Sequence, residues 1–417
     1  MSTGGGTYGK LRILRWAACS VLVGAASGAA ALLLTFAASE SERFFSAHPL
    51  AAGLLVPCAL VSYGLYRELG VPFSTGTLSV VNAARSGGDL KVATAPAIVA
   101  STALALLGGA SVGKEAAALQ SGGSLAAGIA RLFRLEGDST RFLIAAGMAA
   151  AFSALLCAPL SAIAFVAEVV RPRIREVLDV RTACIAVAVA ASWILAGSVE
   201  AANPWQMSLA VPEPSAALVE TVVVSVLCCC AGLGFVVTLK LVHTASTALF
   251  PGDLARVAVG AACASGFMLV VFSVSGQVVA SGTGSWQILS ALMGDRHAFY
   301  EAAFKIGLTA VCLGSGIKGG EIMPVLCIGA LVGAAWSAMT GEASAFAAAV
   351  GVVAALSACA RCPVAAFLLG VELFGSGCAP YFALAAFAGL FPSYVVNLYD
   401  GATWSLDEAF PWSHPSE

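Results

Sequence analysis

The chain reads as a succession of apolar runs separated by short polar or glycine-rich breaks. The first run covers residues 16–38 and follows Lys10, Arg12 and Arg15. It is long enough to cross about 30 Å of hydrocarbon and long for the apolar core of a signal peptide, so it predicts a retained membrane helix with a cytoplasmic N-terminus. Further apolar runs cover 50–66, 93–110, 142–156, 159–170, 182–196, 217–241, 257–274, 302–313, 325–339, 345–358, 363–374 and 381–398. Several are too short to span as one helix, and glycine, proline or a charge interrupts them. Broken helices are tolerated at membrane depth only where their free backbone ends line a cavity within protein. The alternation of a membrane β-barrel is absent, so the pattern predicts an all-α polytopic membrane protein.

An internal repeat is legible. Gly147, Pro159 and Glu168 recur as Gly351, Pro363 and Glu372 at a constant offset of 204 residues. Upstream, Gly113-Lys114-Glu115 has its counterpart in Gly319-Gly320-Glu321 at an offset of 206. Transporters built from two repeats place their site near the bilayer midplane, at the repeat interface, on half-helix termini. The expected organisation is a cytoplasmic N-terminal segment (1–13), a first membrane repeat (14–215), a second (216–398) and a tail (399–417) too short for CBS regulatory domains.

Composition agrees. Hydrophobic residues make up 59% of the 417 and charged residues 11%, against about 25% charged in soluble domains. Lipid must therefore solvate part of the chain. The 44 glycines suit close helix packing in membranes. A net charge of −2 argues against a nucleic-acid partner. Thirteen cysteines, including Cys228 to Cys230 and the pair Cys359 and Cys362, face only four scattered histidines: His48, His243, His297 and His414. That spacing offers no second ligand pair, so the cysteines read as small packing residues, with no metal and no cofactor. A membrane enzyme would need a cluster of His, Cys or Asp that is not visible.

Four segments could carry chemistry. Ser74, Thr75, Gly76 and Thr77 open a short helix and offer backbone N–H groups, hydroxyls and a positive dipole end, which bind anions without formal charge; alone they also read as an ordinary helix cap. In Gly113-Lys114-Glu115-Ala116, an ionisable pair interrupts an apolar stretch, and Glu115 opens a helix beginning near Ala116. Its carboxylate is itself an anion that can occupy an anion site when charged and leave it when protonated, which makes one side chain a gate and a proton carrier. The glycine-rich run through Gly320, Glu321, Ile322 and Met323 presents N–H groups at another helix start. The fourth is the pair of proline-initiated helices ending near Glu168 and Glu372, carboxylates that also read as helix ends facing water.

In this order the segments resemble the CLC family of chloride channels and transporters. Ser74–Leu78 is similar to that family's Gly-Ser-Gly-Ile-Pro segment, Gly113–Ala117 to its Gly-Arg/Lys-Glu-Gly-Pro segment and Gly320–Pro324 to its Gly-x-Phe-x-Pro segment. The resemblance runs from about residue 14 to 410. It implies two inverted repeats with broken helices around a midplane anion site, and a homodimer with one pathway per subunit. By it Glu115 aligns with the gating glutamate, Thr75 with the central serine (Thr77 being close enough to rival it) and Ile322 with the phenylalanine. The pore tyrosine has no clean match, and Trp404 is the nearest aromatic. Ala116 and Ala117 replace Gly-Pro, Val169 stands where proton-coupled chloride exchangers carry an internal glutamate, and Glu321 replaces an apolar residue. Those departures resemble the fluoride/proton antiporter branch. The expected activity is proton-coupled antiport of a halide in a cell membrane, fluoride ahead of chloride. The alternatives are a CLC-type chloride channel or a chloride/proton exchanger, and, from another class, a transporter of small organic or cationic substrates.

Overall fold

A computed structural model describes residues 4–135, 137–171, 180–198, 205–341 and 345–399. Among these the chain forms sixteen α-helices and no strand beyond an isolated bridge. The first half contains α1 (Gly4–Ala47), α2 (Leu55–Glu68), α3 (Thr77–Ser86), α4 (Thr94–Leu107), α5 (Glu115–Leu132), α6 (Asp138–Leu156), α7 (Pro159–Val170) and α8 (Val180–Ser198). The second contains α9 (Pro214–Leu249), α10 (Asp253–Ser275), α11 (Ser285–Leu292), α12 (Phe299–Gly314), α13 (Ile322–Thr340), α14 (Ala345–Ala360), α15 (Pro363–Phe374) and α16 (Ala379–Ser393). Six helical stretches among the described residues are long and apolar enough to cross a membrane. The rest are shorter, as expected of broken helices.

Three helices lie outside the apolar runs. α3 and α11 are short, and α5 carries Gln120, Ser121, Gly122, Gly123 and Ser124, all buried. Hydropathy misses α5 because its small and polar residues face protein rather than lipid. α1 also extends past its apolar run through Glu40 and Arg43, which pair at 2.8 Å across one exposed turn.

Small residues set the core. α5 crosses α6 at Gly122 and Gly147, where a methyl group on either would lie 2.3 Å from the other's carbonyl oxygen. α13 crosses α14 in the same way at Gly329 and Gly351, with corresponding distances of 2.2 and 2.0 Å. Without a hydrophobic drive between helices in lipid, such backbone approach supplies the packing.

α7 and α15 show the repeat most directly. Proline opens each helix, where its missing N–H costs nothing. Glu168, near the end of α7, accepts hydrogen bonds from Val364 N (3.0 Å) and Ala365 N (2.8 Å) at the start of α15. Glu372, near the end of α15, accepts from Leu160 N (2.9 Å) and Ser161 N (2.8 Å) at the start of α7. Each carboxylate caps the other's helix. The sequence reading that these carboxylates face water is corrected here, since an unpaired helix N-terminus within reach is the stronger attractor.

Candidate anion site

The starts of α5 and α13 meet head to head. Gly113 N donates to Gly320 O at 2.6 Å and Gly320 N to Gly113 O at 2.7 Å, a single antiparallel bridge between the two loops. Glycine is required at both positions. A methyl on Gly113 would sit 2.7 Å from Met323 Cβ, and one on Gly320 would sit 2.7 Å from Ala116 Cβ. The bridge brings two helix N-termini, with their unpaired N–H groups and positive dipole ends, to one place.

Each N-terminus carries a carboxylate. Glu115 is fully buried. Its Oε2 accepts from Lys114 N at 3.1 Å, while its Oε1 has no hydrogen-bond partner. Glu321 has both oxygens engaged: Tyr399 donates its hydroxyl to Oε1 at 2.9 Å, and Thr77 donates to Oε2 at 3.5 Å, the outer limit of a hydrogen bond. Gln120 Nε2 in turn donates to Thr77 Oγ1 at 3.2 Å. With that lone pair of Thr77 taken by a donor, its hydroxyl proton is free to point at Glu321.

Beside these groups opens a cavity of about 440 Å³, lined by residues from the loop before α3, by Gln120, Glu321 and Tyr399, and by Lys240, His243 and Arg256. It is open to solvent, and its lining includes the cationic residues Lys240, Arg256 and Lys318. Halide-sized anions fit it easily.

The structure brings most of the sequence candidates together. Ser74, Thr75, Gly76, Thr77 and Glu321 all line the cavity. Of the two threonines, Thr77 reaches Glu321, while the backbone carbonyl of Thr75 accepts from Lys318. Gly113, Lys114 and Ala116 form the start of α5, with Lys114 half-buried and Ala116 wholly so. Ile322 and Met323 are buried in the first turn of α13. Trp404 lies outside the described residues. Sequence reasoning missed Tyr399 and Gln120. Tyr399 follows α16 in a stretch without a motif, and only its contact with Glu321 marks it. Gln120 had a readable signal: it is a lone amide five residues into an otherwise small-residue helix after Glu115. Among the described residues no group of His, Cys, Asp and Glu is arranged to hold a metal ion.

Two series of broken helices, meeting N-terminus to N-terminus around buried acids, define an integral membrane protein of the repeat-built transporter class. The model of the voltage gated chloride channel family matches residues 58–393, and the chain belongs to that family. It is 27% identical over 400 residues to a chloride/fluoride channel protein of Pseudomonas syringae pv. tomato, covering 93% of this chain and 85% of that protein. It is 29% identical over 285 residues to the H(+)/Cl(-) exchange transporter ClcA of Vibrio campbellii, covering 64% of this chain and 59% of that protein. Two solved structures share the fold. One is a CLC-type fluoride/proton antiporter, with a TM-score of 0.79 at 23% identity, covering 93% of this chain and 96% of that one. The other is a slow cyanobacterial Cl-/H+ antiporter, with a TM-score of 0.80 at 20% identity, covering 95% and 96%.

Proposed function

We propose that this protein exchanges a halide for protons across a cell membrane, fluoride ahead of chloride, as a homodimer with its N-terminus in the cytoplasm. The observation that carries the reading is the pair of carboxylates at the meeting of α5 and α13, one with a free buried oxygen and one held by two hydroxyls. Glu115 is the gate and proton carrier. Its Oε1 is the atom a proton would occupy, and a protonated side chain no longer competes with a halide for the helix N-terminus. Thr77, Tyr399 and the unpaired N–H groups in the first turn of α13 supply donors to the ion. Glu321 supports fluoride. Fluoride is small and strongly hydrated, so it needs stronger donors than chloride, and a protonated carboxyl is one. The chloride-exchanger reading draws on the resemblance to ClcA and is separated by the same experiment.

That experiment is efflux from liposomes holding the purified protein, followed with fluoride and chloride electrodes and a pH probe, for the wild type and Glu115→Gln. Fluoride-selective efflux with proton movement that the variant loses is the expected result. Chloride flux without proton movement would make the protein a channel. An unchanged fluoride preference in Glu321→Ala would remove the role given to that carboxyl.

A further inference from the structure

Lys318 lies outside every role assigned so far, yet it is an ammonium buried to 9% exposure beside an anion cavity. It sits in the loop before α13 and reaches across to the loop before α3. Its Nζ donates to the carbonyl oxygens of Phe73 and, at 3.2 Å, Thr75. The same nitrogen lies over two aromatic faces, 4.2 Å from the centre of the Phe73 ring and 4.6 Å from that of Tyr66. Those rings pack edge to face at 5.4 Å. The ammonium is thus satisfied by two carbonyls and two π-faces, and it is held in one place.

We propose that Lys318 is a positioning residue of the halide path, fixing the loop before α3 so that its N–H groups rather than its carbonyls meet the ion. The argument is geometric. The described chain has no cis peptide, so in each peptide unit the N–H points opposite the C=O. Lys318 commits the carbonyls on either side of Ser74 and Thr75, which sets the N–H of Ser74 and of Gly76 on the reverse side of those peptides. Gly76 N makes only a long 3.4 Å contact to Ser79 Oγ, and Thr75 N is used by Pro72 O at 3.0 Å. Without the ammonium, two carbonyl dipoles would be free to turn toward the cavity, where they repel an anion. Lys318 also links the loop of one half to the loop of the other, so the donors near Thr77 and the carboxyl of Glu321 keep one register. It does so from the wall of the same cavity.

This inference rests on the halide-transport reading, and its test separates the two. Proteoliposomes carrying wild type, Lys318→Met or Lys318→Arg are assayed for initial fluoride and chloride flux against halide concentration at fixed pH gradient. Lys318→Met keeps the length and apolar stem but loses the charge and donors. Its halide KM should rise about tenfold, the value of one charge-assisted interaction, with maximal rate and proton-to-halide ratio preserved. Lys318→Arg should recover most of that rise. If the methionine variant does not yield monodisperse protein, Lys318→Gln, with donors but no charge, takes its place with a raised KM again expected. An unchanged KM in a folded uncharged variant, or a fall in maximal rate alone, would overturn the inference while leaving the transport reading intact. A wild type that moves no halide would overturn both.

Discussion

The reciprocal caps of α7 and α15 make a quantitative prediction that sorts structural carboxylates from those proposed to work. Glu168 receives two backbone N–H bonds at 2.8 and 3.0 Å, and Glu372 two at 2.8 and 2.9 Å. A hydrogen bond to a charged group contributes about 1.5–3 kcal/mol, and water can re-enter at these half-exposed ends, so Glu168→Ala should cost about 2–4 kcal/mol. The two caps depend on each other. Loosening the start of α15 moves the helix that carries Glu372, which then caps α7 poorly. The double alanine variant should therefore lose less than the sum of the singles, by about 1 kcal/mol or more. Ser161 Oγ still holds Ala365 O at 2.9 Å in every variant and keeps the helices together. The assay is thermal unfolding of detergent-purified protein followed by intrinsic fluorescence, paired with halide flux at low temperature. The unfolding midpoint should fall by roughly 5 °C in each single variant, with halide selectivity unchanged. A double variant whose midpoint stays within about 1 °C of wild type would refute the capping argument. Altered selectivity would show that these carboxylates belong to the transport path after all.

Two further predictions follow from single contacts. Tyr399→Phe keeps a ring packed edge to face against Phe165 at 6.3 Å but leaves Glu321 Oε1 without its donor; halide turnover should fall about tenfold in proteoliposomes with little change in thermal stability, and unchanged turnover would remove Tyr399 from the site. Gly351→Leu forces a side chain onto the carbonyl of Gly329, 2.0 Å from where its Cβ would lie; detergent extraction should yield aggregate on size-exclusion chromatography, and a monodisperse peak with wild-type flux would show that the α13–α14 crossing can open.

Much of the fold was legible because lipid imposes strong rules. Apolar runs, glycine breaks and the register of Gly147, Pro159 and Glu168 with Gly351, Pro363 and Glu372 pointed to broken, repeated helices. What stayed illegible is what lipid does not dictate. The first ten residues of α5 are all buried by protein, so its serines and Gln120 carry no hydropathy signal. The capping of α15 by Glu168 is a contact between residues about 200 apart in sequence, visible only once the helices cross. Tyr399 reaches Glu321 by the same kind of long-range approach, and no local pattern around it announces a ligand. By contrast, the segments around Gly113 and Gly320 stood out in the sequence as glycine-bearing helix starts, although nothing there announced that their backbones meet.

The two acids at the bridge are related by the repeat, yet their surroundings differ, and the difference follows from particular neighbours. Both sit where a helix N-terminus attracts negative charge. At Glu115, Oε2 accepts from Lys114 N and Oε1 has no hydrogen-bond partner, so no side-chain hydroxyl holds it. Around Glu321 the facing groups are the hydroxyls of Thr77 and Tyr399. One carboxyl is therefore anchored at both oxygens, and the other at a single backbone N–H. Freeing Glu115 breaks one 3.1 Å bond, whereas freeing Glu321 breaks two. Under the antiport reading this asymmetry divides the work: the loosely held acid moves with its proton, and the tightly held one stays to exchange donors with the ion. Moving the anchorage should move the role. In Tyr399→Phe, Glu321 keeps only the long bond from Thr77, and halide flux should then depend on pH through two mobile acids rather than one. A flux–pH profile of unchanged shape in that variant, measured in the same liposomes, would mean that the hydroxyl anchors do not set which carboxyl moves.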